Sequence, residues 1–413
     1  MRIAMFSEVP TFNPVFPNGV ASFIEAVSKQ LVKLGHEVHV YEPCQHLKQK
    51  KIVKIHDKIT KHHLFSLSGG KYKNFRVPMP FGLIFKRMKE EKFDTIHAHG
   101  PMNGVAATLL AKKQNCPKLI TYHTPGEHYR HYAPRFLPVR YKFFTDLAER
   151  LIYNSFDMML TPAEAIRKDL IRKGYKEERL FVLPNCVNLH ENHKRITEER
   201  MQQLRDEYTL NGKKIVLYVG RMSPEKRIPD IINLAPQIVK EEPDTHFLMV
   251  GKGPYLNKYR TLAHKVAPND MTFTGYVTDE DLSNLLRMSS LGVIFVDGAQ
   301  VFDITLLNYW ANRLPVCARR AGGMGDVISH ADNGMLFREP SEAFDQMLSL
   351  LQDEKLCRKM GSKGYETVKR KYSVEVVTDL MLRYYDMAAR KFHRKDNGVL
   401  SHFKKFIFKR KKK

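Results

Sequence analysis

The chain has 413 residues, 43% hydrophobic and 27% charged. That balance excludes a disordered chain, and the length exceeds one ordinary core, so two domains are expected. Lysine and arginine number 68 against 44 acids, a formal net charge of +24 that calls for a polyanionic partner, either an anionic membrane surface or nucleic acid.

The start, Met1-Arg-Ile-Ala-Met-Phe6, lacks the apolar core of a signal peptide and reads as a strand over 2–6. Pro10, Pro14 and Pro17 mark a loop that ends at Asn18-Gly19. Asn18 is a fitting cap for a helix over 20–34, where Val20, Ile24, Val27 and Leu31 share one face, and Gly35 ends it. Strands over 38–41, 95–97, 118–122, 158–161 and 180–183 alternate with helical stretches such as 105–111, the pattern of a mainly parallel sheet. The longest uncharged stretch, 95–111, carries two His, a Pro, an Asn and two Gly, so it is no membrane span. Five scattered cysteines (Cys44, Cys116, Cys186, Cys317, Cys357) form no Cys-x-x-Cys and no Cys/His cluster, which argues against structural zinc and for a reducing compartment.

Pro184-Asn185 closes this first series, and the polar segment 188–211 reads as an inter-domain junction. A second series follows, with strands over 215–219, 246–250, 271–273, 292–296 and 315–318. From 342 the pattern is helical, with one long helix over 372–391. The expected division is a first domain over 1–190, a second over 191–371, a returning helix over 372–395 and a basic tail over 396–413.

The placement of charge narrows the choice of partner. Segment 45–63 carries six Lys against one Asp, and the last twelve residues carry seven Lys or Arg. Val399, Leu400, Phe403, Phe406 and Ile407 fall at helical spacing with most cations elsewhere around the helix, the pattern of an interfacial helix on anionic lipid. A solvated, frayed terminus is the plainer alternative. Nucleic acid is disfavoured, because no recognised module and no basic-aromatic interleaving occur in the folded part.

The most informative stretch begins at Val216. An apolar run ends in Gly220-Arg-Met-Ser-Pro-Glu-Lys226, and an amphipathic helix follows from Asp230. Arg221, Glu225 and Lys226 thus stand at the carboxyl end of a parallel strand, where doubly wound sheets bind ligands. Two cations beside a helix start suit a phosphate-rich group. A lone solvated loop would look similar, but other motifs accompany it. They are Asn18-Gly19-Val20, His97-Ala-His99, Thr121-Tyr-His123, Leu183-Pro-Asn185, Val250-Gly-Lys-Gly-Pro254, Phe273-Thr-Gly-Tyr-Val277, Leu314-Pro-Val316 and Ala321-Gly-Gly-Met-Gly-Asp-Val-Ile328.

In their order and spacing these motifs resemble the family 4 glycosyltransferases, retaining enzymes of GT-B fold, over nearly the whole chain. The segment Tyr122-His-Thr-Pro-Gly-Glu-His-Tyr-Arg-His-Tyr132 and the basic first domain look like bacterial diacylglycerol α-glucosyltransferases. The resemblance implies an α/β architecture of two Rossmann-like domains facing a cleft, with the C-terminal helix returning to the first. It implies a nucleotide-sugar donor such as UDP-glucose, a lipid acceptor, no metal, and a cytoplasmic protein peripheral on the inner face of the cell membrane. Arg221 and Lys226 map onto the cations that hold the donor diphosphate. Gly275, Tyr276 and Val277 map onto the loop lining the base, and Gly19 onto the loop that nears the sugar diphosphate. His123 maps onto the active-site histidine, with His128, Arg130 and His131 close in sequence, while His97 and His99 read as packing groups.

The family's E-x7-E pair is missing. Anchored on Leu314-Pro-Val316, its two positions are Gln300 and Asn308, and a family glycine between them is Asp303. Amides keep the shape and hydrogen-bond hydroxyls but lose charge-assisted strength, about 1–2 kcal/mol per bond. An altered donor, a slow enzyme, or a fold kept for binding without turnover would each follow.

Overall fold

The computed structural model describes residues 1–13, 18–44, 52–68, 76–78, 92–123, 147, 149–193, 196–297 and 302–410; for 67–68, 76–78 and 393–410 it describes the backbone. These fall into two compact units. Met1–Pro162, Arg167–Leu183 and the chain from Val377 form the first; Ala163–Ile166 and Pro184–Val376 form the second.

The first unit contains β1 (Arg2–Ser7), β2 (Glu37–Pro43), β3 (Ile52–His56), β4 (Ile59–Leu64), β5 (Ser66–Ser68), β6 (Arg76–Pro78), β7 (Thr95–His99), β8 (Lys118–Thr121), β9 (Met158–Thr161) and β10 (Leu180–Val182). Eight of them make one sheet in the order β10-β9-β8-β7-β1-β2-β4-β3, parallel except for β3 on β4, and β5 pairs antiparallel with β6. The interior strands are buried on both faces, which is why they read as apolar runs in the sequence. The helix Gly19–Lys33 begins at the expected cap, with Asn18 Oδ1 accepting the Val20 amide at 2.9 Å.

The second unit has six parallel strands: β11 (Lys214–Val219), β12 (Thr245–Val250), β13 (Met271–Gly275), β14 (Leu291–Ile294), β15 (Val316–Arg319) and β16 (Met335–Phe337), ordered β13-β12-β11-β14-β15-β16. The helix Ile228–Glu241 packs Ile231, Ile232, Ala235 and Ile238 into the core beneath it. It starts two residues before Asp230, because Pro229 fits the first turn and Arg227, at φ 46°, swings the chain into it. Trp310 and Tyr309 on the helix Ile304–Ala311 are fully buried.

Three expectations need correction. Segment 188–211 is not a bare junction: it forms the helices Leu189–His193 and Glu198–Glu207, and the change of unit comes earlier, at Leu183/Pro184. The Thr197 amide donates to Asn284 Oδ1 (2.9 Å) and Arg200 pairs with Asp281 (2.7 Å), so this segment is part of the second unit. The final helix is one element, Val374–Arg410, and the tail is its continuation to Arg410; the faces of the tail side chains lie outside the described residues. Within 45–63, residues 52–63 belong to the β3–β4 hairpin, and Lys61 is a buried partner of Glu42 (3.3 Å), unavailable to a surface. Lys54 and Lys58 remain exposed.

Helix residues beyond Val377 join the first unit through specific contacts. Tyr384 Oη donates to Val182 O (2.9 Å), and the Lys391 ammonium lies 5.1 Å over the Phe181 ring. No described helix is long and apolar enough to cross a membrane.

Candidate functional site

In each unit the strand order reverses beside the first strand: β1 lies between β2 and β7, and β11 between β12 and β14. Such reversals open crevices beyond the carboxyl ends of the strands. Side chains placed there by sequence are therefore the ones to follow.

At the second crevice three loops pack backbone against backbone. The Gly220 amide donates to Val250 O (3.0 Å), the Met222 amide to Lys252 O (3.0 Å) and the Gly251 amide to Gly275 O (2.8 Å). Gly251, at φ 138°, sits so close to Gly220 that a Cβ would collide with the Gly220 carbonyl. Gly275 takes φ 76°, a turn that favours glycine. On this base Tyr276 is exposed with Lys252 Nζ 5.7 Å from its ring centre, and Val277 is half-buried. Burial, with Asp279 adding to it, raises the Tyr276 pKa, so its hydroxyl stays protonated.

The loop after β11 then presents its ions. Arg221 is exposed, and its carbonyl accepts Tyr218 Oη (3.0 Å). Ser223 Oγ donates to Glu225 Oε1 (2.5 Å). Lys226 Nζ lies 2.7 Å from Asp303 Oδ2, which comes from the loop after β14. The other oxygen of Asp303 accepts the Thr305 amide (3.0 Å) and caps the helix Ile304–Ala311. Burial raises the Asp303 pKa, but the Lys226 charge and the hydrogen bonds outweigh it and hold the carboxyl below its usual range. Asp297 ties the loops together, bonding Arg227 (3.1 Å) and Arg319 at the end of β15. Tyr309 Oη fixes the strand end, accepting from the Val219 amide and donating to Leu217 O, each 3.0 Å.

Asn308 is half-buried on the helix that Asp303 caps. Gln300 lies outside the described residues, as do His128, Arg130 and His131. An Asp-x-Asp, the spelling often associated with metals, does occur as Asp279-Glu280-Asp281. It forms the first turn of the helix Asp279–Met288, with Asp281 on Arg200. The described residues bring together Arg221, Lys226, Asp303 and Asn308 on the loops and helix beyond β11 and β14. Gly275, Tyr276 and Val277 lie two strands along.

The first crevice is built differently. His123 follows β8, and its Nε2 is 2.9 Å from His99 Nδ1 at the end of β7. The two rings stack (centres 5.2 Å apart), and Phe23 of the helix Gly19–Lys33 packs against both. One layer below, His97 is held between Thr121 Oγ1 (2.7 Å) and Tyr385 Oη (2.8 Å). Burial drives all three imidazole pKa values down, to about 3 for His97 and His123 and well below the usual value for His99. Neighbouring imidazoles add to this at His97 and His99. All three are neutral at physiological pH and offer one donor and one acceptor each, with no positive charge.

Gly19 is the first residue of its helix. The loop before it is pinned by groups the sequence did not reveal. Glu42, buried between β2 and β4, accepts both the Thr11 amide (2.7 Å) and Thr11 Oγ1 (2.6 Å), while Lys61 Nζ donates to Thr11 O (3.0 Å). Glu25 accepts the amide of Phe12, which has φ 51°. Glu8, just after β1, accepts the Met102 amide (2.5 Å) beside Gly100.

Residues 17–191 match Glycosyltransferase Family 4, and residues 200–367 match Glycosyl transferases group 1. The chain is a glycosyltransferase with a family 4 domain followed by a group 1 domain. This transferase is 24% identical over 391 residues to the alpha-monoglucosyldiacylglycerol synthase of Acholeplasma laidlawii, covering 91% of this chain and 94% of that one. It is 25% identical over 389 residues to the N-acetyl-alpha-D-glucosaminyl L-malate synthase of Bacillus anthracis, covering 87% and 92%. Its GT-B fold is that of Anabaena HepE, solved in complex with UDP-glucose, with a TM-score of 0.73, 16% identity, and 94% and 100% of the chains covered.

Proposed function

We propose that this glycosyltransferase moves a hexose, with retention, from UDP-glucose to a lipid acceptor such as diacylglycerol at an anionic membrane surface. The observation that carries the reading is the pair of cations, Arg221 and Lys226, on the loop beyond β11, beside the chain reversal at which such sheets hold ligands. A diphosphate leaving group gathers negative charge as the glycosidic bond breaks. A guanidinium and an ammonium fixed there stabilise that charge more in the transition state than in the bound donor. They supply what a divalent ion would supply elsewhere, so the reading requires no metal.

The other residues take neutral roles. The backbone of Gly275, Tyr276 and Val277 receives the base, and the amides of Gln300 and Asn308 bond donor hydroxyls. Gly19 lets the first loop approach the sugar diphosphate. His123 is neutral and orients sugar or acceptor hydroxyls through a hydrogen bond. The lipid acceptor is supported by the Acholeplasma relative, whose name states that product, and the donor by the UDP-glucose complex of HepE. Exposed Lys54 and Lys58 and the basic tail, at about 1 kcal/mol per near-surface cation, would hold the protein on the inner face of the cell membrane.

Two measurements test this. Calorimetry with UDP should show affinity falling by roughly 1.5–3 kcal/mol in Arg221→Ala; unchanged affinity removes the phosphate assignment. Turnover of UDP-glucose should be seen on vesicles containing diacylglycerol and anionic lipid, with binding that weakens as salt rises. Absence of turnover with any donor, in the native chain and in the Gln300→Glu/Asn308→Glu double variant alike, would leave binding without transfer as the reading.

A further inference from the structure

Of the cations at the second crevice, Lys226, Arg227 and Arg319 already have carboxylate partners. Within that set Arg227 bonds Asp230 (2.5 Å) and Asp297, and Arg319 also bonds Asp297. Lys226 and Asp303 form the most enclosed of these pairs, each side chain 15% exposed with 2.7 Å between Nζ and Oδ2. A crevice that receives a diphosphate gains from excess positive charge. Here the charge of Lys226 is met by a residue that, in the family pattern, is glycine.

The two oxygens of Asp303 do separate jobs. Oδ1 caps the helix through the Thr305 amide, and Oδ2 meets Lys226. The lysine can therefore turn to another anion without uncapping the helix. The depressed pKa of Asp303 keeps it ionised at neutral pH, so the pair opens by competition between anions and not by protonation.

We propose that Asp303 is an internal counter-anion on Lys226 which the donor diphosphate displaces, so that donor binding exchanges a carboxylate for a phosphate and Asp303 sets donor affinity. The proposal rests on the assignment of Lys226 to the diphosphate made above. It predicts a donor site weaker than its cations would otherwise give, with the lysine held rigid and shielded until the donor arrives.

Asn is as good a helix cap as Asp, so Asp303→Asn removes the charge and keeps the cap. UDP binding, followed by calorimetry at two salt concentrations, should become about tenfold tighter in Asp303→Asn and more sensitive to salt. Asp303→Ser, which also caps, should behave alike and serves if the first variant folds poorly. Unchanged or weaker UDP binding in the folded variants would overturn the exchange, because it would make Asp303 a support for Lys226. Arg221→Ala separates the two readings. If it leaves UDP affinity unchanged, the phosphate assignment itself fails. If it weakens UDP while Asp303→Asn gives no gain, only the exchange fails.

Discussion

The two crevices share a plan and differ in chemistry. Each follows a chain reversal beside the first strand of a parallel sheet, and each is followed by a helix capped by an Asx side chain, Asn18 in one and Asp303 in the other. In the first unit the working side chains are neutral: stacked imidazoles, with Phe23 against two of them and a tyrosine hydroxyl below. In the second they are ions, and Lys226, Arg227 and Arg319 are each held by a carboxylate. Burial explains the split. Among the described residues no anion lies near the histidines, which shed their protons, whereas Asp303, also enclosed, keeps its charge because Lys226 is beside it. On the proposed reading, one unit takes hydroxyls and the other phosphate.

The largest test of this contrast is His123→Ala. Loss of the neutral imidazole should lower kcat by about 10²–10⁴, with UDP affinity within about twofold of native. A UDP affinity that collapsed along with turnover would show that the two crevices do not divide the work. Next in size is Lys226→Ala. It leaves the Asp303 carboxylate mostly buried without its ammonium, at an expected stability cost of about 2–4 kcal/mol, well above that of exposed Arg221→Ala. Urea denaturation of both variants compares them directly, and equal midpoints would mean that the pair contributes no more than a surface contact.

Acid should act mainly on the neutral crevice. Above pH 6.5 its histidines are uncharged in both folded and unfolded chains and contribute no pH dependence. Below it the unfolded chain takes up protons that the folded chain refuses. Stability therefore falls as pH drops, down to the folded value of about 3 for His97 and His123. Asp303 adds to the loss only below about pH 4, where its unfolded form protonates. Unfolding free energies measured from pH 7 to 4.5 should fall, and His97→Gln should flatten that slope. The smallest effect expected is that of Asn18→Ala, about 1 kcal/mol for one lost cap. A cost much larger than this, in thermal unfolding, would give the first cap a role beyond its helix.

Much of the fold was legible because the two large sheets are mainly parallel with buried interior strands, so those strands are apolar runs punctuated by Gly, Pro and Asn. The cation-bearing loop after β11 was legible for a similar reason: its cations are close in sequence and follow such a run. What escaped notice depends on distant partners. Lys61 reads as one more cation in a lysine-rich segment, and only its pairing with Glu42 removes it from the surface. Lys226 and Asp303 are 77 residues apart, and His97 meets Tyr385 across 288. Asp303 was noticed as a departure from the family pattern, but nothing local could say which cation it would meet. The β3–β4 hairpin was missed because its lysines and histidines mask the alternation that marks a strand.

The hold on Thr11 has a consequence for how the first loop moves. Its amide is bonded to a carboxylate that is itself 1% exposed, and its carbonyl to a lysine anchored in the same sheet. Exchange of that amide with deuterium therefore requires opening of the β2–β4 pairing and not just a loop fluctuation. In a time course of deuterium uptake, Thr11 should keep pace with the strand amides around Val40, while solvent-facing loop amides are replaced early. Thr11 would then behave as an extension of the sheet, with its motion set by global rather than local opening.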